Sequence, residues 1–471
     1  MSHSYTRRSV LAGSAAWAAS RLAPAQSSPQ RPNLLFFFPD QHRFDWTGLN
    51  PSMAVRTPNL NALAARGVEF TRAIVASPVC APSRACLASG KEYDRCGVRN
   101  NGDNYPVDQA TYYGMLREAG YHVAVCGKVD LHKATLDWGL DGSRLLSEWG
   151  FSAGIDNAGK FDAIKSGANK PKDPYMAFLH RRELAAAHVD DFSWRTGPNG
   201  YRNTAPTPLP EDAYCDNWVA ANGLKLLREA PKGKPWHLVL NFTGPHNPVD
   251  ITSRMDGICR GREFPQPFGS TEFDEGTHVK IRQNYSAMVE NIDRWLGTLL
   301  EEVKRRGELD NTVVIFCSDH GEMLGDHNRW GKSVPYQPSI GVPLVAAGPG
   351  VEGGRRSNAL VSHIDLAATF LDFAGQSIPK DMDSRSLRAL LAGKATTHRE
   401  FLRSGLDNWR LVTDGRYKLI RGFDPAAKGK KVKTPLRAPE ILFDLQEDPA
   451  ESRDIAAQAP DHAARLSRLL V

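Results

Sequence analysis

Residues 33–38 read Asn-Leu-Leu-Phe-Phe-Phe, an apolar run with no polar alternation. Six residues is strand length, and a run apolar at every position after Asn33 suits a strand buried on both faces of a mixed or parallel sheet. Similar runs recur at 121–126, 236–241, 312–317 and 343–346. Helical patterns lie between them. Thr57-Pro58 reads as an N-cap with proline at the first helical position, leading to a stop at Arg66-Gly67. Residues 108–119 end at Gly120, and 213–229 and 280–306 form longer helical stretches. Strands alternating with helices predict an α/β layered domain, a large mixed sheet sandwiched by helices. The pattern changes near Asp383. Residues 410–413 and 416–420 flank Asp414-Gly415, a hairpin signal. Residues 441–445 add a strand and 461–470 a terminal helix. We expect a main domain over 32–382 and a smaller α+β C-terminal subdomain over 383–471.

Composition narrows the class. The chain has 471 residues, 41% hydrophobic and 24% charged, ordinary for a soluble globular protein. Its formal charge is +6, and the first 25 residues hold Arg7, Arg8 and Arg21 with no acid, so the rest carries only +3. That balance, with no basic stripe interleaved with aromatics, argues against a nucleic-acid partner. Residues 1–25 combine the arginine pair, an Ala-rich apolar run and Ala23-Pro24-Ala25, the parts of an export signal of twin-arginine type. The expectation is export, to the periplasm. No later segment has the uninterrupted apolar length of a membrane span, so stable membrane insertion is not expected. The seven cysteines, at 80, 86, 96, 126, 215, 259 and 317, show no disulfide framework and no C-x-x-C zinc pair. Cys126 and Cys317 lie in apolar strand-like runs and read as buried thiols.

Polar residues at strand ends carry the chemistry. Asp40-Gln41 follows the first apolar run, and Asp319-His320-Gly321-Glu322 follows the run 312–317. In α/β sheets ligands bind at the C-terminal ends of strands. Two such ends side by side place Asp40, Gln41, Asp319 and His320 around one cation. Carboxylate and amide oxygens with few nitrogens favour a hard ion such as Ca²⁺ or Mg²⁺ over zinc. Residues 80–90 read Cys-Ala-Pro-Ser-Arg-Ala-Cys-Leu-Ala-Ser-Gly. Pro82 and the periodic stretch after it put Cys80 at a helix start, where amides and the helix dipole favour anions. His246 lies between two prolines in Gly244-Pro-His-Asn-Pro248, a rigid loop position for a group whose ordinary pKa suits proton transfer.

The segment 80–90 resembles the signature of type I sulfatases of the alkaline phosphatase superfamily. The resemblance extends in family order through Asp40-Gln41, Thr57-Pro58-Asn59-Leu60, Gly127-Lys128, Gly244 to Pro248, Asp319-His320 with Gly325-Asp326-His327, Gly331-Lys332, and Leu442 to Leu445. It implies that Cys80 is converted by a formylglycine-generating enzyme to formylglycine, whose hydrate attacks a sulfate ester and then ejects inorganic sulfate. It implies that Asp40, Gln41, Asp319 and His320 bind one divalent ion that also contacts residue 80. That ion is usually calcium, with magnesium or manganese as alternatives. Arg84 would fix the formylglycine and metal surroundings, Lys128 and Lys332 would contact the sulfate, and His246 would protonate the leaving alcohol. The fold it implies is the alkaline phosphatase-like sheet.

The chain departs from the family at three places. Gly127-Lys128-Val129-Asp130 stands where Gly-Lys-Trp-His is common, so the histidine that helps deprotonate the formylglycine is missing. His132, two residues further, shares a face with Asp130 if the segment is a strand, and is the candidate substitute. The first metal pair is Asp-Gln rather than Asp-Asp, a variation shared with choline sulfatases and phosphonate monoester hydrolases. A family arginine near Ser339 is Gly341 here. Three functions compete: hydrolysis of a carbohydrate or aryl sulfate, hydrolysis of a phosphonate or phosphate diester on the same scaffold, and non-catalytic binding of a sulfated glycan. Loops at 94–104, 160–210 and 250–275 are expected to line the substrate pocket. Trp138, Trp194 and Trp218 are candidates for stacking on a sugar, with core packing as the alternative use.

Overall fold

The computed structural model describes residues 31–196, 200–426 and 440–470. The export signal expected over 1–25 lies outside them. The strands in chain order are β1 Asn33–Phe37, β2 Gly67–Phe70, β3 Ala73–Ile74, β4 His122–Gly127, β5 Ala153–Asp156, β6 Trp236–Asn241 and β7 Thr312–Cys317. Then come β8 Leu344–Ala347, β9 Arg355–Ser357, β10 Val361–Ser362, β11 Leu402–Leu406, β12 Trp409–Thr413, β13 Tyr417–Arg421 and β14 Ile441–Asp444. One eight-stranded sheet runs β5-β4-β6-β1-β7-β8-β2-β9. Its first five strands are parallel neighbours, while β8 is antiparallel to both β7 and β2, so the sheet is mixed as expected.

β1 explains its own composition. Leu34, Phe36 and Phe38 pack into one hydrophobic core, and Leu35 and Phe37 into another on the opposite face. Each is essentially without solvent exposure, and burying each side chain contributes roughly 1.5–3 kcal/mol. Helices Cys80–Ser89, Tyr112–Glu118 and Asp365–Phe373 cover the first face. Cys215–Glu229 and the long Glu275–Arg305 cover the second. Asp274 caps the long helix by accepting from Thr277 N at 2.9 Å. Pro58 opens helix Pro58–Ala65 as expected, but the Thr57 hydroxyl does not cap it; it accepts from Gly48 N at 2.8 Å instead.

The C-terminal sheet is β11-β12-β13-β14, antiparallel throughout, with helix Pro460–Ser467 packed on it. The Asp414-Gly415 turn joins β12 to β13 as expected. Several elements are not legible in the sequence as strands or helices, among them β11 and helix Ser253–Cys259. β2 and β5 are short and contain glycine. The stretch expected as a loop over 160–210 instead carries helices Lys160–Gly167, Pro174–Arg181 and Ala185–Thr196. Asp173 caps the second of these by accepting from Met176 N at 3.1 Å, a local signal with mechanistic content. All seven cysteines are free and buried. No helix among the described residues is long and apolar enough to cross a membrane.

Register sets the location of the site. Phe37 is level with Leu240 of β6 and Phe316 of β7, and Gly127 of β4 is level with Asn241. The four segments that follow these strands therefore emerge together at one edge of the sheet.

Candidate active site

Backbone hydrogen bonds lock the emerging segments to one another. Asp40 N donates to Gly244 O at 3.1 Å, and Lys128 N donates to Asn241 O at 2.9 Å. Gly127 makes the second contact possible: its φ is 108°, and a Cβ there would meet Asn241 O at 1.9 Å. Helix Cys80–Ser89 begins at this edge with Cys80 as its first residue and ends at left-handed Gly90. Gln41 is also left-handed, with φ 70°. Its N–H reaches Asp319 Oδ1 at 3.0 Å and its carbonyl accepts from Tyr285 Oη at 2.6 Å.

Ligating atoms of Asp40, Cys80, Asp319 and His320 lie within 4.8 Å of one another, and all four residues are buried. Cys80 Sγ is 3.4 Å from His320 Nε2 and 3.1 Å from Lys332 Nζ. The same Nζ donates to Gln41 Oε1 at 2.7 Å. Arg84 holds Asp319 Oδ2 through Nε at 3.0 Å and Nη2 at 3.0 Å, donates to Lys128 O at 2.6 Å, and lies over the Phe38 ring. Lys128 contacts Asp40 and reaches Asp130 Oδ2 at 3.2 Å. Two buried carboxylates packed beside an amide oxygen and an imidazole suit a hard divalent cation. The set thus fits the metal that the sequence pattern implies.

The electrostatics follow from burial set against this ring of cations. Burial raises the Asp319 carboxyl, and neighbouring Asp40 raises it further. Burial and the Cys80 sulfur push Asp40 up as well, but Lys128 and Lys332 outweigh them and hold it below the usual carboxylate range. Burial also disfavours a Cys80 thiolate, yet Lys128 and Lys332 bring the group well below an ordinary thiol. Burial would discharge Lys128, and Asp130 and Asp40 keep it charged. The site is built to hold negative charge at residue 80 and in front of it.

His246 stands half-buried at the rim, with Nδ1 2.5 Å from Asn247 O, so Nε2 is the nitrogen left to face a ligand. Burial and Lys332 push it down to about 4, so it is neutral at neutral pH. His132 is not in the site. β4 stops at Gly127 and Asp130 is left-handed, with φ 58°, so strand alternation does not extend to residue 132. Its ring is buried between Trp138 and Trp149, and its Nε2 pairs with Asp156 Oδ2 at 3.0 Å. Asp130 is the residue that turns toward the site, bridging Lys128 and Lys133. Lys133 was missed by the sequence reading although it adjoins His132.

A cavity of about 770 Å³ opens in front of Cys80, with Gln41, Lys128, Lys133, His246 and Lys332 in its lining. Five aromatic residues, Phe161, Tyr201, Trp330, Trp409 and Phe423, share the lining with polar ones such as Asn101, Asp162, Arg329, Asp407 and Asp424. The expected pocket loops are met in part: 160–210 contributes Lys160, Phe161, Asp162 and Tyr201. Only Asn101 represents 94–104, nothing from 250–275 lines the cavity, and Trp138, Trp194 and Trp218 lie elsewhere. Trp409 opens β12 and Phe423 lies just past β13, more than 75 residues beyond Lys332 in the chain, and no local sequence signal ties them to the site.

Comparison with known proteins agrees with this geometry. The sulfatase family model matches residues 32–376, and the model for the N-sulphoglucosamine sulphohydrolase C-terminal region matches 325–469. An arylsulfatase of Clostridium perfringens is 27% identical over 453 residues, covering 89% of each chain. An N-acetylglucosamine-6-O-sulfatase of Bacteroides thetaiotaomicron is 27% identical, covering 80% of this chain and 74% of that one. Among solved structures, a phosphonate monoester hydrolase from Silicibacter pomeroyi superposes with a TM-score of 0.74 at 25% identity, covering 93% of each chain.

Proposed function

The chain belongs to the sulfatase family, and from that premise we propose that its cavity takes a sulfated sugar, cleaved at a formylglycine formed from Cys80. A sulfatase is a hydrolase that releases inorganic sulfate, and family members use a metal ion and formylglycine. The observation that carries the finer reading is the placement of Cys80. Its Sγ lies on the cavity floor, 3.1 Å from Lys332 Nζ, beside the buried Asp40, Asp319 and His320. The size of the cavity, its mixture of aromatic and polar lining residues, and similarity to an N-acetylglucosamine-6-O-sulfatase support a sugar rather than a small aryl ester.

Asp40, Gln41, Asp319 and His320 would hold the divalent ion, calcium in our reading. The ion supplies Lewis-acid charge neutralisation, and formylglycine supplies an oxygen nucleophile where the thiol stands. The chain's own groups do the rest. Lys128 and Lys332 offset the charge of the bound sulfate. Arg84 keeps Asp319 in place and positions the Lys128 backbone. His246 presents Nε2 to the bridging oxygen. A bound anionic ester counters Lys332 and raises the imidazole's proton affinity, so the ring carries the proton the leaving alcohol needs. The N-terminal arginine pair and Ala-rich run support export to the periplasm, where N-terminal sequencing of the mature protein is expected to begin near residue 26.

Mass spectrometry of the tryptic peptide 73–84, from protein made in a host with a formylglycine-generating enzyme, tests the central step. The aldehyde form is lighter than the thiol, whereas other cysteine oxidation products are heavier. An unmodified thiol in active enzyme would sink the reading. Side-by-side rates on a sulfated N-acetylglucosamine, 4-nitrophenyl sulfate and a phosphonate monoester test the substrate. The Asp40-Gln41 pair and the Silicibacter likeness favour phosphonate hydrolysis as the second reading, and a higher kcat/KM on the phosphonate would select it.

A further inference from the structure

The amide of Gln41 is held by unusually specific partners. Its Nε2 donates to Glu322 and, at 3.2 Å, to Asn247 Oδ1. With its NH₂ so engaged, Oε1 accepts from Lys332 Nζ, which itself lies 3.1 Å from Cys80 Sγ and 3.9 Å from Asp40 Oδ1. Glu322 is fully buried, at 0% exposure, and forms no ion pair among the described residues. Four donors satisfy it instead. Oε2 accepts from Gln41 Nε2 and from Tyr201 Oη at 2.8 Å. Oε1 accepts from Gly331 N at 2.6 Å and Leu324 N at 2.9 Å. One carboxylate therefore ties Gln41 to the segment that carries Lys332.

We propose that Glu322 is a positioning residue that sets the Gln41 amide, turning Oε1 toward the metal cluster, and that the two residues form a matched amide–carboxylate pair. The inference rests on the metal-site reading above. It also accounts for the departure at position 41. A carboxylate there would stand in hydrogen-bonding contact with the buried Glu322 carboxylate, and two like charges so placed cannot both ionise. An amide satisfies Glu322 with its NH₂ and still offers an oxygen to the cation. Replacing Glu322 by glutamine presents an NH₂ to Gln41. Gln41 then turns its oxygen to that NH₂ and its own NH₂ toward Lys332, where an acceptor is needed.

The test is a double-mutant cycle on full-length protein freed of metal by chelation, using Gln41→Glu, Glu322→Gln and the double exchange. The exchange keeps the shapes and reverses the donor and acceptor, with Tyr201 rotating its hydroxyl to accept. Thermal denaturation in chelator is expected to show each single variant less stable than wild type and the double variant recovered. Calorimetric titration with Ca²⁺ is expected to show affinity reduced about tenfold or more in Glu322→Gln, and returned to within about threefold of wild type in the double variant. A merely structural Glu322 would not be rescued by exchange at position 41. Additive effects, or wild-type calcium affinity in Glu322→Gln, overturn the proposal. If wild type binds none of Ca²⁺, Mg²⁺ or Mn²⁺, the metal reading itself falls and takes this inference with it. If wild type binds and the cycle is additive, only the pairing falls.

Discussion

At the scale of single residues, the proposed chemistry couples His246 to Lys332. Lys332 reaches Cys80 Sγ at 3.1 Å, and with burial it holds His246 neutral until a negative ligand arrives. The protonation we propose for His246 would matter in proportion to how poor the leaving group is. For His246→Asn we expect kcat on a sugar sulfate to fall about 10²–10⁴-fold. The fall on 4-nitrophenyl sulfate should be far smaller, because its phenolate leaves without a proton. Equal losses on both substrates would remove His246 from that role. Most of the residues now seen together announced themselves in the sequence. Asp40, Gln41, Asp319 and His320 directly follow apolar strands, and Cys80 and Arg84 sit in a distinctive helix start. His132 misled because its assignment needed strand geometry beyond Gly127. Asp130 breaks that geometry with a left-handed backbone while bridging Lys128 and Lys133, contacts that no local pattern reveals.

At the scale of elements, strand ends create the site and helix starts secure it. Helix Asp365–Phe373 covers the same face of the sheet as the Cys80 helix. Its first residue, Asp365, is buried and accepts from Ser362 N at 3.0 Å, Arg385 N at 2.9 Å, His398 Nε2 at 3.1 Å and Arg399 Nε at 2.9 Å. Burial would raise its pKa, but Arg399 and His398 overcome that and bring it to about 2. The folded value lies below the unfolded one, near 3.9. The linked stability is therefore present above about pH 4 and lost as pH falls toward 2. It amounts to roughly 2–3 kcal/mol. Asp365→Asn is expected to lower the denaturation midpoint at pH 7, with the two curves converging as pH falls from 5 to 2. A gap independent of pH would show that the carboxylate charge is not the source. No local pattern in the sequence singles out Asp365. Apart from Ser362, its partners lie 20 to 34 residues further along the chain.

At the scale of the whole molecule, the site is assembled from segments some 280 residues apart, and two sheets close the cavity. The C-terminal sheet docks through Gly405 N to Ala76 O at 3.0 Å, Trp409 Nε1 to Ser333 O at 3.3 Å and Lys418 Nζ to Pro335 O at 2.8 Å. An ion held by Asp40, Asp319 and His320, as we propose, would clamp two neighbouring strands of the main sheet. Chelation is accordingly expected to lower Tm by several degrees, and excess Ca²⁺ to restore it; a Tm indifferent to both would contradict a resident ion. Phe423→Ala removes part of the outer wall. It is expected to raise KM for a sulfated saccharide about tenfold, the worth of one aromatic contact, and to leave KM for compact 4-nitrophenyl sulfate nearly unchanged. The sequence by itself determined the parallel core strands, the polar residues at their ends and the Cys80 helix. Each depends on short-range chemistry: apolar density, residue type and spacing within a few positions. Tertiary structure alone decided that Asp130 rather than His132 faces the site, that Glu322 orients Gln41, and that Trp409 and Phe423 wall the cavity. Those outcomes depend on side-chain direction and on contacts between distant segments, which sheet register and domain docking impose only after the chain has folded.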